Sequence, residues 1–158
     1  MTYSVRGLLA KPYMHFYGLS DEDLANFGAK RLPVDVCPGF PDRIEMREIA
    51  VGAHVLLLNQ VSMALNTPYR AAHAIFIREG AVNAYEERNE VPAVMFDRLL
   101  SLRAFDEKGM MVDAVLAKGD EIESTILRFF ANPDVKNIHA HNAKRRCFSG
   151  EVIRPKAG

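Results

Sequence analysis

The stretch that most limits how this chain can fold runs from residue 99 to residue 116. Leu99, Leu100, Leu102, Ala104 and Phe105 form one β-prone run, Asp106-Glu107-Lys108-Gly109 interrupts it, and Met110 opens a second run that reaches Leu116. Four turn-forming residues ending in glycine supply the positive φ that a tight reversal needs. Two strands joined this way lie antiparallel, because a parallel pair would need a crossover of about a dozen residues. The far end repeats the arrangement: runs over 135–142 and 147–154 flank Ala143-Lys144-Arg145-Arg146.

The remaining segments fit the same plan. Residues 3–9 can form a first strand. Ser20-Asp21-Glu22-Asp23 has the form of a capping box and predicts a helix over 21–29. Pro33, Pro38, Gly39 and Pro41 then impose a loop. Residues 43–48 alternate polar and apolar, which predicts a half-exposed strand with Ile44 and Met46 on one face. A turn over 50–53 leads into a more buried strand over 54–61, and Asn66-Thr67-Pro68 forms a loop. A strand over 73–78 puts His73, Ile75 and Ile77 on one side.

Residues 80–89 read as a loop or weak helix, and 92–98 as a short helical turn. Ile122, Ile126, Phe129 and Phe130 recur at helical spacing, with Asp120 expected as N-cap, Glu123 completing its box, and Asn132-Pro133 ending the helix. No repeat or linker divides the chain. The expectation is a single domain over 1–158 of the α+β class, mainly antiparallel sheet with a few packed helices.

Charge narrows the partners. Lys plus Arg number 20 and Asp plus Glu number 20. Nucleic-acid binders draw most of their affinity from a basic excess that this chain lacks, so no nucleic acid is expected. The apolar run of residues 55–58 is far too short to cross a bilayer, so no membrane is expected either. Two cysteines, Cys37 and Cys147, read as reduced thiols. The N-terminus lacks the apolar core of a signal peptide. A soluble, cytoplasmic, bacterial-type protein is the expectation.

Chemistry concentrates in Ile138-His139-Ala140-His141-Asn142-Ala143. Two histidines two residues apart on a strand share a face, and imidazole is suited to proton transfer or metal binding near neutral pH. Cys147 and His73 could complete a metal site. In a hairpin without a bulge, however, Asn142 faces Cys147, His141 faces Phe148 and His139 faces Gly150. Cys147 then lies away from both histidines. The glutamate that a cupin would place after the second histidine is also missing. No metal is assigned. The same geometry separates Cys147 from a histidine base, and a strand cysteine otherwise serves as a small buried hydrophobe.

Arginines recur in or beside strands: Arg43, Arg47, Arg70, Arg78, Arg103 and Arg154. Arg103 interrupts an apolar strand and needs a partner, either Asp106, Asp113, Glu45 or a ligand anion held bidentately. Internal carboxylate pairs are the favoured reading. In Thr67-Pro68-Tyr69-Arg70 the proline delivers Tyr69 and Arg70 with little backbone freedom, either to a site or to a plain turn.

The landmarks Pro41-Asp42-Arg43-Ile44, Val55-Leu56-Leu57-Leu58, Thr67-Pro68-Tyr69-Arg70 and Ala74-Ile75-Phe76-Ile77-Arg78 are followed by Leu102-Arg103-Ala104-Phe105-Asp106 and Met110-Met111-Val112-Asp113-Ala114. His139-Ala140-His141-Asn142-Ala143, Cys147-Phe148 and Arg154 complete them. In this order they resemble the domain of unknown function 1203 family of small bacterial proteins. The family pattern has a cysteine where Asp42 stands and a glycine where Arg146 stands. The resemblance implies one compact domain and no particular reaction.

The functional expectation is a small-molecule or anion site, binding or enzymatic, formed by Tyr69, Arg70, His73, Arg103, His139 and His141. In it, His141 or His139 serves as acid or base and Arg103 holds an anionic group. Its partner is a small anionic molecule, and no cofactor is specified. The alternative is a non-catalytic interaction or self-associating module, a homo-oligomer included, in which these polar residues are structural.

Overall fold

The computed structural model describes residues 1–156. In chain order its elements are β1 (Ser4–Arg6), α1 (Asp21–Asn26), β2 (Lys30–Pro33), β3 (His54–Met63), β4 (Ala71–Arg78) and β5 (Glu86–Arg88). They continue with α2 (Ala93–Phe96), β6 (Leu100–Phe105), β7 (Met111–Ala117), α3 (Asp120–Phe130), β8 (Asn137–Asn142) and β9 (Phe148–Ile153). The strands form two sheets, one ordered β5-β1-β9-β8-β6-β7 and the other β2-β3-β4. Every pairing is antiparallel. This is the α+β architecture that the turn spacing implies.

Alternation decides which side each residue serves. On one face of the larger sheet, Leu100, Leu102, Ala104, Ile138 and Ala140 pack against Ile122, Ile126, Phe129 and Phe130 of α3. On the other face, Phe148 of β9 packs with Leu56, Leu58, Ile75 and Ile77 of the smaller sheet and with Leu24 of α1. The smaller sheet therefore covers the side of β8 and β9 that α3 leaves open. His139 and His141 project to that side.

The helix ends follow from local chemistry. Ser20 Oγ accepts from the Asp23 amide at 3.1 Å, capping α1. The expected cap of α3 is corrected. Gly119, at φ 59°, is the N-cap, and Asp120 is the first helical residue. Asp120, Glu121 and Glu123 still place negative charge on the first turn, where the helix dipole favours it. At the other end Arg154 donates to the carbonyls of Phe130, Asn132 and Val135. The first of these is the last carbonyl of the helix, and the other two belong to the turn that follows it.

Two segments depart from expectation. Residues 43–48 are a tight loop rather than a strand. The buried Asp42 carboxylate accepts from the amides of Glu45 at 2.6 Å and Arg78 at 2.8 Å, which curls the chain, and Met46 sits at φ 52°. Local side-chain capping here outweighs alternation. Within 80–89 the strand β5 forms on the edge of β1. Its residues are exposed, so it carries no apolar signal to read. Among the described residues, no helix is long and apolar enough to cross a membrane.

Candidate functional site

The β8–β9 register sets the site. Residues Asn137, Ile138, His139 and Ala140 stand opposite Ile153, Val152, Glu151 and Gly150, and a bulge then brings His141 opposite Phe148. The bulge corrects the expected pairing of His139 with Gly150: its partner is Glu151. It leaves Cys147 with Asn142, whose amide nitrogen reaches the sulfur at 3.3 Å. The expectation that the thiol lies away from the imidazole face is corrected: Cys147 precedes β9 and packs with Phe148 in the cluster between the sheets, where its sulfur meets Arg43 and Asn142 rather than a histidine.

His141 is 2% exposed. Its Nδ1 donates to the Arg146 carbonyl at 2.9 Å. That bond fixes the neutral tautomer and leaves Nε2 as the bare nitrogen. Burial pushes the imidazole down to about 4, against the pull of the Arg146 carbonyl, and Arg103, His139 and His73 lower it further. His139 is 5% exposed. Burial also holds it below the ordinary imidazole value; Glu151 opposes this, while Arg103 and Arg6 reinforce it.

Around His139 the polar contacts form a short chain. Arg6 pairs with Glu151 at 2.8 Å. Asn137 Nδ2 donates to Glu151 at 2.6 Å and lies 3.4 Å from His139 Nε2. An amide donor at Nε2 puts the ring proton on Nδ1, and that nitrogen is buried without a partner. Such a group is costly to leave unpaired, which makes it informative.

The third imidazole comes from the other sheet. His73 on β4 stands 5.7 Å from His141 and the His139 ring is 6.4 Å from His141, measured between ring centres. His73 Nδ1 is also buried and unpartnered, as is Oε1 of its cross-strand neighbour Gln60. Phe148 packs edge-on against both His139 and His141. Gln60 escaped the sequence reading. Its signal was an amide in alternation with Leu56 and Leu58 on the inward face of β3.

Arg103 pairs with His139 across β6 and β8. Its Nε donates to Ser101 Oγ at 3.2 Å, and no carboxylate among the described residues meets it. The expected pairs with Asp106, Asp113 or Glu45 do not form: Asp113 binds Arg128, and Glu45 binds Arg78 and Arg47. Asp106 instead caps its own turn. Partial burial, with Arg146 nearby, lowers the Arg103 guanidinium from its usual value. Arg43, Arg47, Arg70, Arg78 and Arg154 each have an internal acceptor.

Tyr69 and Arg70 lie at and beyond the margin. The Tyr69 ring is 6.2 Å from Phe105, whose ring is 5.0 Å from His139. Arg70 turns away to the Ala64 carbonyl. His73, Arg103, His139 and His141 therefore come together, with Tyr69 beside them and Arg70 outside. Among the described residues, no three His, Cys, Asp or Glu side chains are grouped to hold a metal.

A two-sheet α+β domain with imidazoles and an uncompensated guanidinium between its layers defines the class. The family model described as Protein of unknown function (DUF1203) matches residues 39–154, and the chain belongs to that family. No curated protein and no solved structure matches it.

Proposed function

We propose that the chain binds a small anionic molecule against Arg103 and the imidazoles of His73, His139 and His141. The observation that carries this reading is the guanidinium of Arg103, half-buried with only a hydroxyl partner. A cation in that setting is stabilised by an anion that the fold itself does not provide. Two buried imidazole nitrogens without partners add donors or acceptors on the same side. The His141 Nε2 lone pair gives a bound molecule a hydrogen-bond acceptor, since the ring stays neutral at neutral pH.

A thermal-shift panel of inorganic phosphate, sulfate and small carboxylates tests the reading. At least one anion should raise the melting temperature of the native chain by mass action, and Arg103→Gln should abolish the rise. No response across the panel removes the proposal.

One observation favours a second reading. The edge strand β7 exposes Val112 and Leu116 beside its unpaired backbone, a surface suited to self-association. A concentration-dependent molecular mass that Leu116→Lys abolishes would support it.

A further inference from the structure

Beside the β8–β9 hairpin, and apart from the imidazoles, lies a cleft of about 650 Å³. Cys147, Arg43 and Asn142 line it. Arg43 is only 2% exposed. A guanidinium so deep ordinarily faces a carboxylate. Instead it donates to the Phe148 and Pro41 carbonyls, each at 2.7 Å, and to Cys147 Sγ at 3.1 Å.

Asn142 Nδ2 donates to the same sulfur at 3.3 Å, and its Oδ1 is buried without a partner. The nearby Asp42 carboxylate is engaged by backbone amides of Glu45 and Arg78. The sulfur is therefore the group in contact with Arg43 that can carry a compensating negative charge. Arg98, Lys118, Lys144 and Arg145 line the cleft with Asp35 and Asp97, and the cationic excess makes the approach electropositive.

We propose that Cys147 is a reactive nucleophile, presented by Arg43 and Asn142 to a small hydroperoxide entering this cleft. Cys147 is only 8% exposed, and a peroxide, with two heavy atoms, is the electrophile that needs least clearance to reach its sulfur. In the step, a sulfur electron pair attacks one peroxide oxygen. The S–O bond forms and the O–O bond breaks. The leaving oxygen takes up the proton that the thiol gave. Sulfur is oxidised to the sulfenic acid and hydrogen peroxide is reduced to water. The guanidinium stabilises both the attacking sulfur and the departing oxygen.

Cys37 is exposed and provides an internal comparison. The fully reduced chain is treated with hydrogen peroxide, sulfenic acid is trapped with dimedone, and each cysteine is followed by peptide mass spectrometry. Cys147 should react about tenfold faster than Cys37 despite its burial. An equal or slower rate at Cys147 overturns the proposal. Asn142→Asp, with its fold checked by circular dichroism, replaces a donor by a negative charge. It should slow Cys147 about tenfold and leave Cys37 unchanged. An unaltered Cys147 rate in that variant also overturns it.

Discussion

His73 and His141 belong to different sheets, yet their ring centres stand 5.7 Å apart at near-perpendicular tilt. The contact joins the layers at a point where apolar packing gives way to polar atoms. An unpartnered Nδ1 on His73 and the neutral ring of His141 face a region bordered by Arg103. Four expectations follow from this arrangement and from the loop that supports it.

The pH dependence of stability is the first. His141 has its folded value near 4, against about 6.5 when unfolded. Between those values the unfolded chain binds a proton that the folded chain does not, so stability falls as pH drops through this window and is complete above it. The gap corresponds to about 3 kcal/mol. Urea unfolding between pH 4 and 8 should show this loss, and His141→Gln should flatten the curve. A native chain with the same stability across the window would contradict the buried neutral imidazole.

Arg103 is the second. Its guanidinium has no carboxylate to lose and is partly desolvated. Arg103→Met should leave stability within about 0.5 kcal/mol of the native chain, or raise it. A loss above about 2 kcal/mol in urea unfolding would mean that Arg103 is a structural residue.

Much of this was legible in the sequence, and the boundary has physical causes. The shared face of His139 and His141 follows from period-two alternation, and the α3 stripe from helical periodicity. Neither depends on a distant partner. The approach of His73 does, because it requires two sheets to stack. The opposition of His139 and Glu151 depends on a one-residue bulge with no marker in the residue pattern. Residues 43–48 alternate like a strand but are curled by Asp42 contacts reaching Arg78 in β4. Arg43 and Cys147 are 104 positions apart, so their contact has no local sign.

Asp42 gives the third expectation. Its buried carboxylate holds two backbone amides, at 2.6 and 2.8 Å. Asp42→Ala should strand both and cost about 2–3 kcal/mol in urea unfolding, whereas Asp42→Asn should cost less because its carbonyl still accepts.

Gly7 gives the fourth. A Cβ there would meet the Ile44 carbonyl oxygen and lie 2.8 Å from the Arg43 carbonyl oxygen, both backbone atoms. Gly7→Ala should lower stability by about 2–3 kcal/mol, because the loop must shift as a body. Unchanged thermal unfolding would contradict the close approach of β1 and that loop.

The most direct measurement is a proton NMR titration of the five imidazoles with inorganic phosphate, sulfate and a small carboxylate at pH 7. The expected result is saturable movement of His73, His139 and His141 with at least one of these anions, no movement of His15 or His54, and loss of the response in Arg103→Gln. Silence at all five rings, or equal drift at all five, would contradict an anion site between the sheets.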